Sequence, residues 1–527
     1  MPDALTAVST RRTPQGEQAD PRQVPNSAGG WAFTTPQLGR LHRFLTLGTD
    51  GGTYYVSERD LTKQAASVVL AMAEAGDPAL VAEIVAISRA GRAPRNNPAL
   101  FALAAAASSG TPDSKRAALD ALPLVARTGT HLYLFARYIE QFRGWGRGLR
   151  RAVGNWYLSK DAGDLAYQML KYRQREGWTH RDLLRLSHPA GTGAHRALFD
   201  FACGRDADLG ELPLVEAFIK AQAATTATAW VALIGEYPAL SWEMLPPDAL
   251  NEDRVWRALI ANGLPQTALM RQLPRLTRLG VVGPKDMSTT AVVAARLASQ
   301  ERLIKARVHP VSVLVALRTY ASGASARGEA TWQPAPQITD ALDAAFYAAF
   351  GAVEPAGKRT LLALDVSGSM TAPVSGLPLT CREASAALAL VTAATEPGCI
   401  VTGFTRSITP LDISPRQRLD DAIRKVSNLP FGGTDCSLPM LWALQNGVEA
   451  DHFSVYTDSE TWAGVMHPHQ ALVQYRQRTG IPARMSVVGM TATDFTIADP
   501  ADPGSLDVAG FDSAVPSLLA GFARGDI

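Results

Sequence analysis

Through the first two thirds of the chain, apolar residues recur at three- and four-residue spacing, the period of a helix with one buried face. Residues 61–75 carry the pattern until Gly76-Asp77-Pro78 breaks it, and 79–89 repeat it until Gly91-Arg92-Ala93-Pro94. Residues 98–107, 114–127 and 131–142 continue it. From Trp31 to about Phe350 the pattern predicts short amphipathic helices joined by Gly/Pro/Asn turns, with no clear strands. The run is too long for one bundle core and has no exact repeat period. It therefore predicts stacked helix pairs in an irregular solenoid of the HEAT or armadillo kind.

Past Gly357 the rhythm changes. Short apolar runs at 360–365, 399–404, 452–457 and 484–490 read as strands. Helical stretches at 381–394, 415–427, 438–445 and 470–478 lie between them. Such alternation implies parallel strands, right-handed crossovers and helices on both faces, a doubly wound α/β domain. Residues 1–30, rich in Pro, Gln, Ser, Gly and charge, are expected to be a disordered or extended tail. The fold class expected is thus α plus α/β: a tail (1–30), a helical domain (31–355) and a sheet domain (356–527).

Composition changes this picture little. The 527 residues are 46% hydrophobic and 19% charged, as in ordinary globular domains. The N-terminus has no apolar core of a secretory signal, and no stretch approaches the roughly 18 apolar residues of a membrane span. Cys203, Cys381, Cys399 and Cys436 are scattered without a C-x-x-C pair, which suits free thiols in a reducing cytoplasm and makes zinc a poor candidate.

The first chemistry lies at 361–370, L-L-A-L-D-V-S-G-S-M. Ligands of open α/β sheets sit beyond the carboxyl ends of the strands, which is where Asp365, Ser367 and Ser369 fall. A carboxylate among hydroxyls is a hard-oxygen set, suited to Mg²⁺, Mn²⁺ or Ca²⁺, with Mg²⁺ the first choice. Thr434 and Asp435, in the glycine-hinged loop F-G-G-T-D-C, and Asp458, at the end of a second strand, are further oxygen donors. The plainer alternative makes Asp365 a cap and the serines turn residues. One hard metal with hydroxyl ligands lacks the paired carboxylates of two-metal nucleases, and no serine has a histidine partner in view, so catalysis is not expected.

The second chemistry is charge. Residues 131–196 hold twelve Lys or Arg against five acids, a net of +7 in a chain of +2 overall. Such polarisation is the footprint of a polyanion site, although a solvated face is the simpler explanation of any one charge run. Lys171 and Arg175, four apart, are expected to share a helix face. Thr179 with Asp182 reads as the N-cap of a second helix, in which Arg181, Arg185 and His188 form one stripe, with His180 at its start. The loop G-W-G-R-G (144–148) adds Trp145 and Arg147, and Arg150 and Arg151 follow; an aromatic there could stack on an unpaired base. Residues 253–307 hold ten more Lys or Arg against three acids. RNA is favoured over DNA because no recognition-helix motif or dimer signature is present. A rival is a metal-dependent protein-adhesion scaffold in which the helical part is a spacer.

Several blocks together resemble the TROVE module, named for telomerase, Ro and vault proteins. They are K-Y-R-Q-R-E-G-W-T-H-R-D-L-L-R-L-S-H (171–188), G-G-T-Y-Y-V (51–56) and A-L-D-A-A-F-Y (341–347). The segments around 365, 434 and 495–507 resemble the von Willebrand factor A-like domain of the Ro autoantigen family, in its compact bacterial form. The resemblance implies a ring of HEAT-like helices closed by the A-like domain. Y RNA would bind its outer basic surface, and single-stranded 3′ ends of misfolded RNAs its central hole. It further implies a monomer serving RNA quality control after stress, with a 3′-to-5′ exoribonuclease, polynucleotide phosphorylase, tethered through the Y RNA. Lys171, Arg175 and His188 match family positions that contact Y RNA. Asp365, Ser367, Ser369, Thr434 and Asp458 match the family's metal-ion-dependent adhesion site.

Overall fold

The computed structural model describes residues 12–527, apart from 50, 51, 54, 326, 327, 352, 375–377, 397, 415 and 416. Helices follow one another from Gln37–Leu47 to Pro336–Ala348, and local chemistry sets their ends. Ser57, Asp77, Thr111, Thr128 and Asp161 each accept a backbone N–H at a helix start, which satisfies donors that have no partner inside the helix. The helix Asn97–Ala106 is apolar nearly all round and accordingly central. It packs against Glu58–Ala75, Pro78–Ala90 and Gly129–Ile139.

Two local expectations change. The helix expected over 114–127 is split into Pro112–Asp120 and Leu122–Val125, because Pro123 has no N–H to continue the ladder. The helical pattern expected from Trp31 onward starts instead at Gln37, and Trp31–Thr34 is a strand.

The C-terminal sheet has the strand order Ser505–Ala509, Arg484–Gly489, His452–Thr457, Thr360–Asp365, Cys399–Phe404, Ile408–Leu411. All neighbours are parallel except the last pair. Thr360–Asp365 is buried along its whole length, which explains its unbroken apolar run. Its register against His452–Thr457 brings Asp365 and Asp458 to the same edge of the sheet.

The tail expectation fails for residues 12–30; residues 1–11 lie outside the described residues. Gln23–Pro25 pairs with Trp31–Thr34, which pairs with Phe495–Thr496 of the sheet domain. Gln15 is fully buried, and its amide donates to Asp435 Oδ1 and to the Met466 carbonyl, both at 2.8 Å. The polar composition that suggests disorder is spent on long-range hydrogen bonds: Asn26 to the Thr461 carbonyl (2.7 Å) and Gln23 to His467 (3.1 Å).

The helical array closes on the sheet domain and on itself. Arg43, 1% exposed at its side chain, reaches Asp507 at 2.7 Å. Arg92 Nε donates to Asp512 (3.1 Å), His309 Nε2 to the Arg92 carbonyl (3.0 Å), and Arg307 to the Arg89 carbonyl (2.7 Å). Early and late helices thus meet at one seam beside the sheet, and the solenoid becomes a ring. No helix among the described residues is long and apolar enough to cross a membrane.

Candidate functional site

The basic segment folds as a helix, a hairpin and a second helix. Ala162–Lys171 ends at Lys171, with Tyr172 as its C-cap. Gln174–Arg175 then pairs antiparallel with Trp178–Thr179. Both turn residues between them have positive φ (Glu176 55°, Gly177 82°), the geometry of a tight hairpin that favours glycine. The expected shared helix face of Lys171 and Arg175 is therefore corrected: Lys171 closes a helix and Arg175 stands on a strand. Glu176, held in the left-handed region, ion-pairs with Arg137.

The second helix starts as its sequence implies. Thr179 accepts the Asp182 N–H while Asp182 accepts the Thr179 N–H, a reciprocal capping box worth about 1 kcal/mol. Leu183 and Leu184 are buried, while Arg181, Arg185 and His188 are exposed as one stripe. The neighbouring helix Arg147–Leu158 packs against it, with Gly154 close to the Ser187 carbonyl and Pro189. Arg147, Arg150 and Arg151 are exposed at its start. Trp145 and Trp178 lie 5.7 Å apart and join the glycine-rich loop to the hairpin. Arg147, Arg151, Arg181 and Arg185 have no ion-pair partner among the described residues, whereas Arg137, Arg196 and Lys171 do.

His180 does not belong to that surface. It is 4% exposed, shares a 2.9 Å hydrogen bond with the Tyr157 hydroxyl, and packs on Tyr133 with ring centres 4.9 Å apart. As the first residue of an amphipathic helix it falls on the inner face, so it cannot touch RNA. Burial lowers its pKa to about 3. The unfolded chain therefore takes up a proton near pH 6.5 that the folded chain refuses. The stability that neutral His180 provides is complete above pH 6.5 and is lost as pH falls towards 3. Between pH 7.5 and 5 this loss is about 2 kcal/mol. His180→Gln should lose less over the same interval, measured by urea unfolding at both pH values; equal losses in both proteins would refute it.

At the sheet edge Asp365, Ser367, Ser369 and Asp458 come together, and Thr434 is buried on its own loop. Asp365, Ser367, Ser369, Thr434 and Asp458 are each at most 2% exposed. Asp365 accepts the Ser367 N–H (2.9 Å) and the Thr457 hydroxyl (2.6 Å). The hydroxyls of Ser367 and Ser369 are 3.0 Å apart. Burial first, then the charge of Asp365, pushes the Asp458 carboxyl up to about 7. Asp435 turns away: it accepts from Ser437 and Gln15 and serves its own loop.

Two observations fit this pocket to a divalent cation. The buried Thr434 hydroxyl has no hydrogen-bond partner, and two buried carboxylates repel one another. Asp365, Ser367, Ser369, Thr434 and Asp458 would hold the ion, which would supply the missing positive charge. Among the described residues no three His, Cys, Asp or Glu cluster as metal ligands. Glu460 is unforeshadowed. Burial, then Asp458, pushes it up to about 8, and it accepts the Ala28 N–H at 2.9 Å. Its T-D-S-E position beside Asp458 is the only sequence signal.

Residues 24–319 match the TROVE domain and residues 359–523 the Ro60 vWA domain. That pairing defines a class of RNA-binding proteins, and the cationic stripe lies within its TROVE part. The chain belongs to the Ro60 family. It is 43% identical over 536 residues to the RNA-binding protein RO60 of Deinococcus radiodurans, covering 100% of each chain. It is 36% identical over 599 residues to the RNA-binding protein RO60 of Caenorhabditis elegans, covering 98% of this chain and 92% of that one. The crystal structure of the Deinococcus radiodurans RO (RSR) protein superposes with a TM-score of 0.71 at 42% identity, covering 93% of this chain and 100% of that chain.

Proposed function

We propose that this protein is a non-catalytic ring scaffold that holds a small structured Y RNA on its outer basic surface and admits single-stranded 3′ ends of misfolded RNAs to its centre. In this reading it works in the cytoplasm in RNA quality control, maturation and decay after stress. The Y RNA tethers an exoribonuclease, polynucleotide phosphorylase. The observation that carries the proposal is the exposed stripe of Arg181, Arg185 and His188 beside Arg147, Arg150 and Arg151. Like charges so placed repel, and a phosphate backbone offsets that repulsion. The test is RNA crosslinked to the full chain in cells and sequenced. One or a few enriched small structured RNAs are expected; fragments that merely track transcript abundance would overturn the proposal.

The sheet domain is proposed to bind one divalent cation, Mg²⁺ before Mn²⁺ or Ca²⁺, which braces the loops of Asp365, Thr434 and Asp458. Mg²⁺ at a hundredfold over its Kd should stabilise the chain by about 2.7 kcal/mol. The readout is the thermal midpoint with and without metal. Asp365→Ala should abolish the gain; an equal gain in the variant, or none in the parent, counts against the site.

A further inference from the structure

The N-terminal segment, residues 12–30, is seated on the loops that carry Thr434 and Asp458. Gln15 bridges the two loops. Its amide donates to Asp435, the neighbour of Thr434, and its carbonyl oxygen accepts from the hydroxyl of Thr461, three residues beyond Asp458. The Trp462 and Ala463 N–H groups donate to the Thr434 carbonyl, both at 3.0 Å, and tie the loops to each other. The Ala28 N–H donates to Glu460 at 2.9 Å, and the Glu460 N–H donates in turn to Asp458 Oδ1 at 3.1 Å. Asn26 donates to the Thr461 carbonyl (2.7 Å), and the segment runs so close there that a Cβ on Gly30 would collide with that same oxygen.

The loop under the segment is strained. Ser459, between Asp458 and Glu460, has a φ of 64°, in the left-handed region that only glycine enters freely. The Ser459 hydroxyl and the Glu460 Oε1 atom are buried without a hydrogen-bond partner. Strained backbone and unpaired polar atoms persist only where the surroundings hold them. The docked segment holds this loop from one side, and a bound cation would hold it from the other. Two ligands that favour one shared conformation each bind more tightly when the other is in place, by the same factor.

We propose that residues 12–30 form a latch coupled to the cation site: the cation fastens the segment to the sheet domain, and the docked segment raises the affinity for the cation. The coupling presupposes the divalent cation proposed above and gives that site something to control. The latch runs on into Trp31–Thr34 and then into Gln37–Leu47, whose Arg43 reaches Asp507 of the sheet domain. Loss of the ion would therefore loosen the hold of the sheet domain on the start of the helical array.

The test is hydrogen exchange of the full chain, read by mass spectrometry over residues 12–30, together with Mn²⁺ binding counted by electron paramagnetic resonance. Saturating Mn²⁺ should slow exchange over these residues about tenfold in the parent, within the roughly 5–150-fold that such couplings span, and should not slow it in Asp365→Ala. Gly30→Ala drives the segment off Thr461 and should weaken Mn²⁺ binding about tenfold. Gly16→Ala, in open space on the same segment, should bind Mn²⁺ as the parent does. If the parent binds Mn²⁺ but its exchange does not change, the coupling is overturned and the cation reading stands. A Gly30→Ala chain that exchanges faster yet keeps the parent's Mn²⁺ affinity overturns it equally. A parent that binds no Mn²⁺ overturns both. The exchange measurement on the parent needs no substitution, so it decides the matter even if Gly30→Ala fails to fold.

Discussion

Replacing Arg181 and Arg185 together by alanine should weaken binding of structured RNA roughly a hundredfold at moderate salt. Each arginine contributes a charge-assisted contact on the order of 1.5 kcal/mol, and 1.4 kcal/mol is tenfold. Neither arginine has an ion-pair partner among the described residues, so their removal orphans no carboxylate. The helix should survive, because its capping box and buried Leu183 and Leu184 are untouched. The salt dependence is the sharper reading. Each lost phosphate contact removes about one unit of slope from the plot of log affinity against log salt, so the double variant should be shallower by about two. An unchanged slope would mean that the stripe faces solvent and nothing else.

Arg43→Ala should cost about 3–5 kcal/mol of stability. The Arg43 guanidinium lies where the first helix meets the sheet domain. It donates to the Thr493 carbonyl (3.1 Å), the Phe495 carbonyl (3.0 Å) and Asp507 (2.7 Å). Alanine would leave those acceptors short of a donor in a dry interface. Gly489 belongs to the same arrangement, since a Cβ there would come within 3.0 Å of the guanidinium. Arg43→Lys keeps the charge but loses the fork, and should recover only part of the loss. Urea unfolding of the three proteins decides it; a loss below about 1 kcal/mol would show that Arg43 is not what joins the two parts.

The sheet core was legible because its parallel strands are short runs rich in apolar and β-branched residues between helical stretches. Thr360–Asp365, Cys399–Phe404 and His452–Thr457 begin and end where the pattern does. Strands that lean on distant partners were not. Gln23–Pro25 and Trp31–Thr34 are three and four residues long, and the pairing of Trp31–Thr34 with Phe495–Thr496 spans almost the whole chain. The residues proposed to hold the cation follow a local order, D-x-S-x-S, then threonine, then aspartate. Thr457, which donates to Asp365, was hidden as one more strand residue. In the basic segment the charges were plain, but periodicity could not separate His180 from Arg181, neighbours of which one is buried and the other exposed. Nor could it place Arg275 and Arg175 in the lining of one cleft, which depends on how distant helices pack.

The stitching of Gln15, Gln23 and Asn26 onto the sheet domain sets an order of events during synthesis. The opening segment leaves the ribosome long before the strands it will join exist. Gln15, Gln23 and Asn26 must wait for their sheet-domain partners while more than four hundred residues of helix and sheet follow. Only the arrival of the sheet domain lets this segment lock in place. A shortened chain that begins at residue 356 would therefore keep every strand of the six-stranded sheet and yet leave Asp435 and Thr461 without their Gln15 and Asn26 partners.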